Sequence, residues 1–247
     1  MIFCTSQLKL YKPLMKFIYF TIIILLCLTF NVSAQTKQTS GWAASFNSFK
    51  INQKFGVHFD LQFRSADEMQ YLRNVLIRPG LTYQIDQNKN ATIGYALILT
   101  NRGPSFGHEY LTESRIWEQF IINIPIVNKV ILTNRFRLEQ RFINRPTESV
   151  YSDRIRYFVR SVIPLVKQKD KFTKGVFAAL QNEIFLNLSN KEQLNNHVFD
   201  QNRAYLALGY RTTSKIDLEL GYMRVDSKGL TNNTVNNVVQ VAVYARF

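Results

Sequence analysis

Side chains in this chain alternate apolar and polar with a period of two, and that pattern constrains the fold more than any other feature. Lys54 to Arg64 reads KFGVHFDLQFR, with Phe55, Val57, Phe59, Leu61 and Phe63 on one face. Gly56, His58, Asp60, Gln62 and Arg64 take the other face. Successive side chains of a strand point to opposite sides, so such a segment makes a strand with one greasy and one polar surface. Ala91, Ile93, Tyr95, Leu97 and Leu99 repeat the pattern, as do Ile216, Leu218, Leu220 and Tyr222 against Asp217, Glu219 and Gly221. Further strands are expected near 40–51, 71–85, 112–124, 129–143, 150–164, 173–188, 198–211 and 236–247. That gives about eleven segments with no helical stretch between them and no break that would divide residues 35–247 into domains.

Connections are expected to alternate in length. Short turns are expected near 52–53, 86–89, 127–129, 167–171 and 212–214, and longer links near 101–112, 144–149, 189–197 and 226–236. A secreted β-sandwich also alternates. Strand length, aromatic residues at strand ends and export favour an antiparallel up-and-down transmembrane β-barrel of ten to twelve strands with a polar, Arg/Glu-lined lumen. The terminal strand supports this expectation. Val239, Val241, Val243, Ala245 and Phe247 alternate with Gln240, Ala242, Tyr244 and Arg246, and a strand ending on an aromatic resembles the signal read by the outer-membrane barrel-assembly machinery. Bacterial single-chain barrels have even strand counts. A count near eleven therefore implies either another half-strand before Trp42 or a segment that folds inside or merges with its neighbour.

Export is read from residues 1–34. MKFIYFTIIILLCLTFNVSA, from Met15 to Ala34, has a basic start at Lys16, an apolar run from Phe17 to Phe30 and a small residue at Ala34. This is the pattern of a signal peptide cleaved between Ala34 and Gln35, with translation starting at Met15. A membrane anchor needs about 20 apolar residues, more than this run supplies. A lipoprotein at Cys27 would need a small residue where Leu26 stands. Cleavage would remove both cysteines, Cys4 and Cys27, along with Lys9, Lys12 and Lys16. The 31 basic and 17 acidic residues would then become 28 and 17. A product without thiols suits an oxidising compartment and excludes thiol chemistry.

The polar faces carry an unusual charge pattern. Arg135, Arg137, Glu139 and Arg141 share one face, with Leu132, Phe136, Leu138 and Phe142 opposite; the next strand sets Arg154, Arg156 and Arg160 against Ile155, Tyr157 and Val159. An arginine on the lipid face costs about 2–4 kcal/mol at the bilayer midplane, so these residues are expected to face the lumen. Glu139, Glu183, Asp60 and Glu118 are the expected acidic partners, and Arg203 is expected to join them. A structural ion-pair network filling a narrow barrel is the first reading of this set; an anion path or ligand site is the second.

RFRLEQRF (135–142), RIRYFV (154–159), NEIFLN (182–187) and QNRAYLALGY (201–210) resemble the uncharacterised exported family catalogued as domain of unknown function 2490, found mostly in Bacteroidota. The resemblance runs from about Trp42 to the C-terminus and implies an outer-membrane-type barrel. The family carries no established activity, so no catalytic residue comes with it.

Outer-membrane lipid hydrolases use a Ser–His pair, and this chain offers His58, His108 and His197, with Ser105, Ser114 and Ser189 nearby in sequence. None of these lies in a G-x-S-x-G motif, and there is no H-E-x-x-H, cysteine cluster or glycine-rich phosphate loop. The expectation is therefore a non-enzyme without metal or cofactor. The expected partners are outer-membrane lipid, lipopolysaccharide phosphates and the assembly machinery, with no nucleic acid; a small anion-selective pore and a lipid hydrolase remain the alternatives.

Overall fold

A computed structural model describes residues 35–126, 130–166 and 172–247. The signal-peptide features from Met15 to Ala34 lie outside these residues, as do the turns expected at 127–129 and 167–171.

Eleven strands close into one barrel. They are β1 (Gln35–Lys50), β2 (Phe55–Ser65), β3 (Leu72–Gln84), β4 (Lys89–Asn101), β5 (Tyr110–Pro125), β6 (Ile131–Asn144), β7 (Ser149–Pro164), β8 (Gly175–Asn187), β9 (Phe199–Thr213), β10 (Ile216–Ser227) and β11 (Asn233–Arg246). Each strand pairs antiparallel with its sequence neighbour, and the ring is closed by β1 lying parallel to β11, from Gln35 opposite Asn233 to Ser48 opposite Arg246. This corrects the parity argument. No half-strand or merged segment is needed, because an odd number of up-and-down strands brings the first and last together running the same way. The parallel ladder continues to the last residue. Phe247 N–H donates to the Ser48 carbonyl at 2.8 Å, and Lys50 N–H donates to the Phe247 carbonyl at 2.6 Å.

Closure puts Gln35 at the rim carrying the β2–β3, β4–β5, β6–β7, β8–β9 and β10–β11 connections. Phe247 lies at the opposite rim, with the remaining turns. The first group includes the long links 102–109 and 188–198, whereas the β9–β10 turn is only residues 214–215. The β6–β7 link, residues 145–148, is no longer than the 51–54 turn at the other rim, and the β7–β8 link at that other rim runs over 165–174, so length alternation fails at both places.

The alternation read from the sequence sets which face is which. Phe55, Phe63, Ile93, Leu206, Leu208, Leu220 and Val241 point outward, and Leu208 is 63% and Leu220 61% exposed. Several polar groups on this outer surface are paired within it. Tyrosine hydroxyls reach across to polar residues on adjacent strands: Tyr95 to Ser114 at 2.7 Å, Tyr157 to Asn134 at 2.8 Å and Tyr222 to Asn237 at 2.6 Å. Aromatic rings also pair across neighbouring strands outside the barrel: Phe55 with Tyr83, Phe142 with Tyr151, and Phe49 with Phe247 across the parallel seam.

The interior is packed in two ways. Along β8–β11 and β1, Trp42, Phe177, Tyr205, Met223 and Val238 form an apolar cluster; a smaller one at β3–β5 holds Leu76, Ala96, Ile98 and Trp117. Inward glycines make room for the largest rings. A Cβ on Gly94 would lie 2.3 Å from the Trp117 ring, and one on Gly209 would lie 2.2 Å from Phe177. Pairing small inward residues with large neighbours is how a narrow barrel fills its bore. The rest of the interior is charged.

Candidate functional site: an arginine-lined lumen

Strand parity places Arg135, Arg137, Glu139 and Arg141 of β6 and Arg154, Arg156 and Arg160 of β7 inside the barrel, together with Glu183 of β8 and Arg203 of β9. The hub is Glu139, 1% exposed. Arg154 Nε and Nη2 donate to its Oε2 at 3.1 and 2.6 Å, and Arg156 Nη1 donates to Oε1. Arg115 and Arg137 approach the same carboxylate at 3.5 and 3.9 Å. Glu183 is the second hub, accepting from Arg135 at 2.7 Å and from Arg156 at 2.9 and 2.7 Å. Arg156 therefore bridges two buried acids. The network ties β6, β7 and β8 together across the bore.

Asp60 takes the lumen place expected of it, and several further members were not singled out in the sequence. Glu113 accepts from Arg115 and Arg141, both at 2.7 Å. Asp200 takes Arg154 Nη1 at 2.7 Å, Asp60 takes Arg78 Nε at 2.6 Å, and Asp217 takes Arg211 and Arg246. Arg160 pairs with Glu219 and lies over the Tyr244 ring. Their signal was available for all but Asp200: the others sit at an inward parity, and Glu113–Arg115 is an i, i+2 pair on one strand face. Asp200 has the outward parity of β9 and reaches Arg154 beside a register shift between β8 and β9, which alternation does not reveal. Glu118 is a correction. Sharing the parity of Ile116 and Phe120, it points outward, where Gln140 Nε2 donates to its Oε2 at 3.3 Å. It has no part in the lumen network.

Among the described residues, twelve arginines face seven carboxylates in the bore, and two of the arginines have no carboxylate within 4.0 Å. Arg64 donates through Nε and Nη2 to Gln62 Oε1 at 3.2 and 2.6 Å, and Arg203 donates through Nε to Gln201 Oε1 at 2.7 Å. Both guanidiniums lie against the Trp42 ring, at 4.0 and 5.2 Å from its centroid.

Two cavities occupy the bore, and no residue lines both. One, about 690 Å³, opens toward the short-turn rim and is lined by His58, Thr82, Thr92 and Gln119 among others. The other, about 240 Å³, lies toward the long-connection rim and is walled by Arg64, Arg78, Arg115, Arg154, Arg156 and Arg203 with Glu113 and Asp200. Along β2, buried Asp60 stands between His58 and Arg64; along β5, fully buried Trp117 stands between Gln119 and Arg115. Packed side chains thus divide the bore.

The histidines do not assemble a hydrolytic pair. His58 Nε2 lies 3.3 Å from Asp60 Oδ2 with its ring edge-on to Trp117, and His108 Nδ1 lies 3.2 Å from Asn101 Oδ1. His197 contributes its backbone to Asn187 and Asn195. Ser114 bonds to Tyr95, and Ser189 donates to Asp153 Oδ2 at 2.8 Å. Among the described residues no imidazole hydrogen-bonds to a serine.

Fold and site together define a closed, almost entirely antiparallel β-barrel with an apolar exterior and a divided, arginine-rich interior. The chain belongs to the family described as Protein of unknown function (DUF2490), whose model matches residues 39–236. No curated protein and no solved structure shows significant similarity to it.

Proposed function

We propose that this protein is an integral outer-membrane barrel, exported through a cleaved signal peptide, whose lumen is closed by its own side chains. On this reading it retains an anionic molecule and neither conducts solutes freely nor catalyses a reaction. The carrying observation is the buried Glu139–Arg156–Glu183 bridge, which spans three strands and belongs to the layer separating the two cavities. An open pore would leave the bore continuous, whereas here arginine stems and Trp117 fill the layer between the two cavities.

The membrane setting is supported from outside the barrel. Large apolar residues face outward on all sides, and the outward Ser114, Asn134 and Asn237 are each satisfied by a neighbouring tyrosine. Internal pairing of polar groups is what hydrocarbon demands, since lipid offers no hydrogen bonds. The barrel-assembly machinery would read the terminal strand, and lipopolysaccharide phosphates would be the nearest anions to the long-connection rim.

Planar-bilayer recording tests the closed lumen. The expected result is no large, steady conductance; a stable open channel would refute it, and the surplus of arginine makes anion selectivity the expected character of any residual current. Membrane fractionation with intact-mass measurement tests the setting: a mature chain starting at Gln35 in the outer membrane is expected, and a soluble product would overturn it. Turnover of phospholipid or lipid A by the purified protein, abolished by a single histidine substitution, would restore the hydrolase reading.

A further inference from the structure

We propose that the 240 Å³ chamber is a binding site for a phosphate group, held by Arg64 and Arg203, which both line it and both approach Trp42. The inference rests on the closed, anion-retaining barrel proposed above and names the site and the chemistry of its ligand.

Every other lumen arginine meets a carboxylate within 4.0 Å, whereas these two are oriented by a neutral amide two residues earlier on the same strand. Gln62-Phe63-Arg64 and Gln201-Asn202-Arg203 are the same Gln-x-Arg device on β2 and β9. The amide fixes the guanidinium without cancelling its charge; Glu183, opposite Arg203 on β8, is shared with Arg135 and Arg156 and offsets that charge only in part. It occupies Nε and Nη2 of Arg64 and only Nε of Arg203, so Nη1 of Arg64 and both terminal nitrogens of Arg203 remain as donors. These two guanidiniums, without a close carboxylate, stand in the same chamber. Arg64 and Arg203 are each only partly buried, so the chamber is within reach of solvent.

Two fixed positive charges match a dianion, and guanidinium forks suit the oxygen geometry of phosphate. The chamber is smaller than the roughly 300–1,000 Å³ typical of drug-sized ligand sites, so it admits a phosphate or pyrophosphate group and excludes a whole lipid. The phosphate could be free or could be carried on a lipid headgroup entering from the long-connection rim.

Calorimetric titration of the full barrel in micelles with inorganic pyrophosphate tests the site. Saturable 1:1 binding is expected, weakened about 10- to 100-fold by Arg64→Gln or by Arg203→Gln, in line with loss of one charge-assisted contact. Gln62→Glu and Gln201→Glu keep both arginines and supply the missing carboxylates. They should abolish binding while leaving the barrel at least as resistant to urea, which a purely structural role for the arginines would not produce. Titration with nanodiscs containing lipid A separates the sources: competition with pyrophosphate indicates a headgroup, and its absence indicates a free anion. Failure of the wild-type barrel to bind pyrophosphate saturably, or unchanged affinity in the glutamate variants, would overturn the proposal. Because the conductance experiment addresses the bore and this one the chamber, either idea can fail alone.

Discussion

Replacing Glu139 by Gln is the sharpest perturbation of the lumen, because it removes one charge and almost no volume. Glu139 is 1% exposed and receives two close guanidiniums, from Arg154 and Arg156, with Arg115 and Arg137 within 4.0 Å. Bare attraction at 4 Å is about 4 kcal/mol at an effective dielectric of 20. Desolvation offsets much of that in forming such a pair, but the offset does not return when only one partner is deleted. Breaking a buried pair from one side costs about 3–5 kcal/mol, because the remaining charge is stranded. Arg156 keeps Glu183 and Arg154 keeps Asp200, which places the expected loss near the lower end, about 3 kcal/mol. The assay is urea unfolding of the reconstituted barrel, followed by fluorescence of Trp42 and Trp117 and by heat-dependent gel mobility. Arg64→Gln is the internal control. It removes an uncompensated charge and should cost less than about 1 kcal/mol or stabilise. A Glu139→Gln loss within about 1 kcal/mol of wild type, or smaller than that of Arg64→Gln, would refute the view that this network holds the barrel together.

Gly94→Ala should destabilise by about 1–3 kcal/mol, since the added methyl meets the Trp117 ring and the carbonyl of Pro79; unchanged unfolding would deny the close packing. Ser45→Cys with Val243→Cys, opposed across the seam, should cross-link under oxidation, whereas Ser45→Cys with Val241→Cys should link poorly; the reverse would show a different closing register. Deleting Phe247 removes the last seam hydrogen bonds and the stack on Phe49, and should lower membrane assembly more than synthesis, as read by heat-modifiable mobility.

Local pattern made β2, β4, β10 and β11 legible, because one buried and one apolar outer face force every second residue to change character. The same parity placed Arg135, Arg137, Glu139, Arg154 and Arg156 inside. It misled at β5, where inward Trp117 and outward Glu118 reverse the usual polarity. Trp117 sits inward because Gly80 and Gly94 open space for it from neighbouring strands, information that β5 itself does not contain. The closing seam was illegible for a related reason: β1 and β11 are separated by nearly the whole chain, and alternation says nothing about whether a distant partner runs parallel. The chamber lay between these cases. Gln-x-Arg is visible twice in the sequence, but only closure brings both arginines onto Trp42.

Odd closure also gives the molecule two distinguishable ends. In an even up-and-down barrel the first and last strands run oppositely, so peptides attached to either end emerge together. Here Gln35 stands at one rim and Phe247 at the other. In the membrane setting proposed above, an epitope joined immediately ahead of Gln35 and another after Phe247 would face different compartments. Protease added to intact cells should reach one and spare the other, so a single doubly labelled chain would report the orientation of the barrel in its bilayer.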